Sequence, residues 1–275
     1  MRGRGRDAMR VTFRGVRGSV PWSVPDGIVH GCNTPCLELR DEATGARLVL
    51  DAGSGIVGVQ PAPAANTPVS LLLTHYHWDH LLGLPFFSTL YDPRQPLTIH
   101  TPALESHDPG WLATLFQSPF FPVPYARLPN KPQVEMVGPG TVAVPGFTIR
   151  SLGLNHPGGC LAYRISGAAG DLVYATDHEF GSAAFDEPLA GFAKGAAAIV
   201  LDAHFTPEEH PQHEGWGHSD WRQCAEFASA NGIGTLWLFH HKPGRSDRAL
   251  EEIRSEARKI FAATDTAREE VSFEV

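Results

Sequence analysis

The sequence predicts an α/β fold, and two features of the 275-residue chain carry that expectation. Short apolar runs recur, and each leads into a histidine or an aspartate: 69–73 before His75, 152–154 before His156, 171–176 before Asp177, 196–201 before Asp202, and 235–239 before His240. Scattered surface histidines would not follow buried β segments five times over. The second feature is a helix expected over 221–230, with Ser219 as its N-cap and Asn231-Gly232 as its stop.

With 42% hydrophobic residues the chain can bury a full core, and one domain over 10–275 is expected after a basic leader, 1–9, in which arginines alternate with glycine and can bury nothing. No apolar run approaches the ~18 residues of a membrane span, and no charged-then-apolar signal segment opens the chain, so a cytoplasmic protein without membrane contact is expected. The net charge of −8 argues against a broad phosphate-tracking surface, although it leaves room for RNA at a small local site. Four dispersed cysteines do not form a disulfide framework, and Cys32 and Cys36 lack a second pair to complete a zinc knuckle; packed, reduced thiols are expected.

Taken in order, alternation marks a first strand over 10–14, followed by two loops, 15–21 and 30–36. Arg17, in the first loop, either reaches a substrate oxyanion or belongs to a loop that only joins strands at the rim. Both readings stay open. A hairpin over 36–39 and 47–50 ends at Asp51 and a glycine-rich turn; alone, that turn is weak evidence for phosphate binding. Asp51 is expected to hold the following loop through hydrogen bonds. Between Pro85 and Pro145 the chain is rich in proline and aromatics, with a strand over 97–100 and a helix over 110–116. This segment could wall a pocket or serve as an ordinary core layer. His100 and His107 have no ligand-like context.

The densest chemistry is Thr74-His75-Tyr76-His77-Trp78-Asp79-His80, three imidazoles and a carboxylate at the end of the strand 69–73. In an extended loop His75 and His77 project the same way and can grip one metal, while Asp79 and His80 turn toward a second point. Imidazole with carboxylate suits zinc, and also manganese or iron.

The pattern His-x-His-x-Asp-His resembles the signature of the metallo-β-lactamase superfamily at every position, and the Gly-Val-Arg-Gly-Ser segment at 15–19 resembles one bacterial branch. His30-Gly31-Cys32 departs from that branch's double glycine. The resemblance runs from about Arg10 to the end of the chain and implies a four-layer αββα sandwich with two divalent metal ions, zinc above others, at one edge of the paired sheets. It places the third imidazole of the first metal on His156, the bridging carboxylate on Asp177 and the last imidazole of the second metal on His240, with His241 in reserve. Gly217-His218-Ser219 resembles the Gly-His-Ser-Thr segment of the tRNase Z and phosphodiesterase branch, with Asp220 in place of threonine; Asp202 matches that branch's acidic residue. The implied chemistry is metal-assisted hydrolysis in which Asp79 or Asp177 orients the attacking water and takes its proton. His218, kept protonated by Asp202, assists at the phosphate.

The expected substrate is a small or cyclic phosphodiester. A tRNA 3′-end endonuclease is the narrower version, not favoured because no Lys and Arg cluster marks the basic arm of the bacterial tRNA enzymes. Lactone or thioester hydrolases share the ligands without the Gly-His-Ser segment. From another class, flavodiiron oxidoreductases carry Glu where His77 stands and add a flavin domain for which no residues remain; a metal-sensing subunit would have lost ligands. His178, His204, His210 and His213 are expected to add only local polarity. A homodimer is admitted by the sequence.

Overall fold

The computed structural model describes residues 9–23, 25–41, 44–62, 64–104 and 110–275. The basic opening 1–6 and His107 therefore fall outside the described residues. In chain order the elements are β1 (Met9–Gly15), β2 (Cys36–Asp41), β3 (Arg47–Leu50), β4 (Val69–Leu72), β5 (Leu97–Pro102), α1 (Trp111–Leu115) and β6 (Gln133–Val137). They continue as β7 (Gly140–Val144), β8 (Phe147–Leu154), β9 (Cys160–Ser166), β10 (Asp171–Ala175), α2 (Ala183–Ala193) and β11 (Ala198–Asp202). The last are α3 (Trp221–Ala230), β12 (Thr235–Phe239), α4 (Asp247–Ile260), β13 (Thr264–Thr266) and β14 (Ser272–Glu274).

These strands form two seven-stranded sheets, in the orders β14-β1-β2-β3-β4-β5-β6 and β13-β12-β11-β10-β9-β8-β7. In each sheet half of the pairings are parallel: β3 to β6 in the first and β10 to β13 in the second. The central parallel strands β4, β10, β11 and β12 read as largely apolar because both of their faces are covered. Leu48, Leu50 and Leu72 of the first sheet point inward and meet Tyr163, Tyr174, Val200 and Phe239 of the second in one core between the sheets. Their neighbours one residue away point outward, as the two-residue repeat of a strand requires. Val173, Ile199, Leu201 and Leu238 pack under α2, α3 and α4. On the other outer face Val49, Leu71 and Ile99 lie beneath Leu84, Phe87, Leu90 and Phe116.

The arrangement is the expected αββα sandwich, with one inequality. The second sheet is covered by three regular helices, whereas the first is covered by short helical turns and the proline- and aromatic-rich segment. That segment is therefore largely a core layer. Cys36, Cys160 and Cys224 are buried free thiols, pushed well up by burial.

The helix expected over 221–230 is α3, but its N-cap is Asp220 and not Ser219. The Asp220 carboxylate accepts from the Arg222 and Gln223 amides while the Gln223 side chain accepts from the Asp220 amide, a reciprocal capping box. Ser219 is drawn elsewhere, its hydroxyl donating to the His178 carbonyl at 2.5 Å. No helix among the described residues is long and apolar enough to cross a membrane.

Candidate metal centre

The carboxyl ends of the parallel strands in both sheets open onto one place. Three residues just past β3, β10 and β12, namely Asp51, Asp177 and His240, have φ of 60°, 56° and 57°. Left-handed backbone at non-glycine residues costs of order 1–3 kcal/mol and persists only where the surroundings over-determine it. Asp51 shows what fixes it: its carboxylate accepts from the Thr74 amide at 2.8 Å, from the Thr74 hydroxyl at 3.0 Å, from His80 Nδ1 at 2.8 Å and from the Tyr174 hydroxyl at 2.9 Å. The expectation that Asp51 holds the histidine loop by hydrogen bonds is met.

The loop after β4 and the ends of the second sheet bring the expected side chains together in two groups. His75, His77 and His156 have donor atoms within 4.8 Å of one another, as do Asp79, His80 and His240. Asp177 stands between them. Its Oδ2 lies 3.7 Å from both His75 Nε2 and His156 Nε2, and its Oδ1 lies 3.3 Å from His80 Nε2 and 3.4 Å from His240 Nε2. Within the groups, His156 Nε2 is 3.0 Å from His77 Nδ1, His80 Nε2 is 3.4 Å from His240 Nε2, and His240 Nε2 is 3.1 Å from Asp79 Oδ2.

Those spacings fit divalent ions. Ligands at 2.0–2.1 Å in a tetrahedron are separated by roughly 3.3 Å, the middle of the observed range. The tautomers agree: His75 Nδ1 meets the Thr74 hydroxyl at 3.0 Å, His80 Nδ1 the Asp51 carboxylate, and His156 Nδ1 the Gly217 carbonyl at 2.9 Å. Each ring thus turns Nδ1 to an outer partner and Nε2 toward the centre, the arrangement in which an outer partner orients a ligating imidazole. His75 Nε2 is buried without a hydrogen-bond partner.

The charges point the same way. Burial pushes His75 well below its ordinary pKa, with cationic His80 adding to the effect, so it is a neutral donor. His80 is buried too, but Asp177, Asp51 and Asp79 outweigh that burial and hold its pKa well up. Burial would raise Asp79 and Asp177, yet His80 and His240 hold both well below the carboxylate range. Buried carboxylates that hold a proton on an imidazole mark a place that demands positive charge.

Beside this centre lies the second expected pair. His218 Nδ1 is 2.6 Å from Asp202 Oδ2 at the end of β11. Burial works against the charged ring, but the Asp202 carboxylate, with Asp177 and Asp79 beyond it, holds His218 up at about 9. The loop carrying it is fixed by Glu179, whose carboxylate accepts from the Gly215 amide at 2.7 Å and the Gly217 amide at 2.6 Å. Gly217 has φ of 85°, and a Cβ there would fall 2.1 Å from His156 Nδ1, so only glycine lets the loop approach that ring.

His204, expected to add only local polarity, belongs to this neighbourhood. Its ring stacks on His218 at 4.7 Å, its Nδ1 lies 3.0 Å from the His240 carbonyl, and it groups with Asp202, His218 and His240. The pattern Asp202-Ala203-His204 at a strand end carried the signal, since alternation returns His204 to the face of Asp202.

The other histidines stay apart. His241 turns away from the centre and donates to the Ala267 carbonyl at 2.9 Å, which leaves His240 as the residue the strand delivers. His178 meets Asp186 at 3.1 Å, and His213 meets the Glu209 carbonyl at 2.8 Å. Arg17 does not reach the site. It is fully buried and donates to the carbonyls of Gly31 at 2.9 Å, Arg245 at 2.7 Å and Gly27 at 3.3 Å, so its role is to join the rim loops and not to meet an oxyanion.

Comparison with known proteins places this arrangement among relatives. The sequence profile described as the Beta-lactamase superfamily domain matches residues 46–241. A ribonuclease Z of Bradyrhizobium sp. (strain ORS 278) is 28% identical over 305 residues, covering 93% of this chain and 96% of that protein. The solved structure of the metallo-beta-lactamase fold protein YhfI from Bacillus subtilis superposes with a TM-score of 0.72 at 20% identity, covering 98% of this chain and 100% of the other. The short form of human tRNase Z superposes with a TM-score of 0.66 at 17% identity, over 96% and 98% of the two chains.

Proposed function

The chain belongs to the beta-lactamase superfamily, and from that membership we propose that it is a metal-dependent hydrolase whose substrate is a small or cyclic phosphodiester. The observation that carries the phosphodiester is the His218–Asp202 pair at 2.6 Å, set beside the histidine and aspartate groups that Asp177 joins. In this reading His75, His77 and His156 would hold one divalent ion and Asp79, His80 and His240 a second, with the Asp177 carboxylate available to both. Bound there, two ions such as zinc would polarise the phosphoryl oxygens and acidify the attacking water from about 15.7 toward 7.

The protein's own groups do the rest. Asp79, ionised and anchored by the Ser19 amide at 2.8 Å, is suited to orienting the attacking water. A carboxylate held so far below its ordinary pKa is a better acceptor of hydrogen bonds than a store for protons. The water gives up one proton to bulk solvent before it attacks; as its oxygen bonds to phosphorus and the bond to the leaving oxygen breaks, His218 donates a proton to that oxygen and regains one from solvent afterwards, and Asp202 balances the charge that made the proton available. His204, stacked against His218, keeps its ring from swinging away.

A second reading, an endonuclease on tRNA 3′ ends, is favoured by the ribonuclease Z relative. The net charge of −8 and the missing Lys and Arg cluster weigh against it. The test is a screen of zinc- and manganese-loaded protein against bis(p-nitrophenyl) phosphate, cyclic nucleotides, precursor tRNA, lactones and thioesters. Turnover of the first two above the rest is expected; preference for a lactone or thioester would overturn the phosphodiester, and cleavage of precursor tRNA alone would favour the second reading.

A further inference from the structure

We propose that the groove beside the metal loop binds a lipophilic alkyl or acyl substituent of the substrate, an inference that rests on the phosphodiesterase reading and narrows it. The loop that supplies His75, His77 and Asp79 also supplies Tyr76 and Trp78 from its other side, and these line a cavity of about 240 Å³ with Trp111 and Leu115. A second cavity of about 360 Å³ shares Trp78 and Leu115 and adds Phe86 and Phe120. The two share Trp78, Thr114 and Leu115, and their lining begins one residue from His75, His77 and Asp79.

The surface is costly to leave in water. Trp78 is 69% exposed, Phe86 60% and Phe120 80%. Large exposed apolar side chains scattered singly mean little, but a contiguous set beside a reactive centre marks a binding surface. Among the described residues, no charged side chain lines either cavity. The two hydroxyls on its walls are committed to main-chain carbonyls, Thr114 to Gly110 at 3.2 Å and Tyr76 to Pro102 at 2.8 Å. A nucleobase is selected by hydrogen bonds to its edges, and these walls offer little to make them. A hydrocarbon asks only for apolar area, which the groove supplies. Tyr76 and Trp78 alternate along one loop with His75, His77 and Asp79, so on this proposal an ester whose phosphorus lies at the histidines sends its substituent toward Trp78.

The experiment is a series of alkyl p-nitrophenyl phosphates, methyl through dodecyl, kept below their micelle concentrations and hydrolysed by the metal-loaded protein. Each methylene is expected to raise kcat/KM by about two- to fourfold until the groove is full. The octyl-to-methyl ratio, read within each protein so that a general loss cancels, is expected to collapse in Phe120→Ser and Leu115→Gln and to persist in Val134→Ser on β6. A flat series with measurable hydrolysis of the methyl ester overturns the groove and leaves the phosphodiesterase reading standing. If no diester is cleaved, that reading fails; binding of dodecyl phosphate against methyl phosphate, followed by tryptophan fluorescence, then decides the groove alone. Equal affinities overturn it, and tighter binding of dodecyl phosphate that Phe120→Ser abolishes sustains it.

Discussion

Asp202 Oδ2 and His218 Nδ1 are 2.6 Å apart, although one closes a strand of the second sheet and the other stands sixteen residues on, in the loop before α3. The contact fixes which nitrogen of His218 is engaged and leaves Nε2 to face the centre. His218→Ala is therefore expected to lower kcat on a phosphodiester by roughly 10²- to 10⁴-fold, the range for a general acid. Metal content should not change. The loss should be larger for an alkoxide leaving group than for p-nitrophenolate, which departs without a proton. Full activity on both esters would make His218 a bystander.

The same contact sets a pH dependence. A ring held up at about 9 is charged below that pH and loses its proton as the pH rises through it, so activity that needs the charged form falls on the alkaline side. Asp202→Asn removes the carboxylate that opposes deprotonation, and the alkaline limb of kcat should move to lower pH. Cations loaded beside the ring shift the limb in both proteins, so the comparison between them carries the test. Superimposable profiles would detach Asp202 from His218.

Asp177 touches both histidine groups, whereas His240 touches one. Metal analysis of the loaded protein should give about two ions per chain. Asp177→Ala should lower occupancy at both positions, and His240→Ala should leave about one. Two ions retained in Asp177→Ala would end the bridging assignment.

Glu38 on β2 is buried between three arginines, 2.7 Å from Arg14 and 2.8 Å from Arg40, with Arg47 also against it. Burial would raise its pKa, but the arginines hold it below 4.5, so its contribution to stability is present above that value and fades as acid protonates it. Glu38→Gln leaves the buried Arg47 unpaired and should cost about 3–5 kcal/mol in urea unfolding, with metal content and kcat unchanged. A cost below 1 kcal/mol would show that the arginines find other partners.

How much of this was legible in the chain follows from where each determinant lies. The apolar runs before His75, His156, Asp177, Asp202 and His240 are local, so the strand ends and the residues they deliver could be read directly. His240 rather than His241 is the first residue past β12, and it takes the left-handed backbone that turns it inward. Arg17 could not be settled from sequence, because its direction depends on carbonyls of Gly27, Gly31 and Arg245 that only the fold assembles. Ser219 and Asp220 are both good caps, and the choice between them was made by the His178 carbonyl, forty-one residues away. His204 was undervalued for the same reason: its partners, His218 and the His240 carbonyl, become neighbours only when β11 pairs with β12.

The two sheets share no strand, and the centre lies across the seam between them. His75, His77, Asp79 and His80 hang from one sheet, and His156, Asp177 and His240 from the other. On the proposed ligand set the ions act as a clasp, and metal supply becomes a question of protein lifetime as well as turnover. Each tenfold rise in free zinc above the dissociation constant should add about 1.4 kcal/mol per site to the unfolding free energy, so Tm should climb with buffered zinc in the wild type. His240→Ala should climb about half as steeply. A cell short of metal would then lose the polypeptide itself, since proteases act on whatever fraction of the unclasped chain is open.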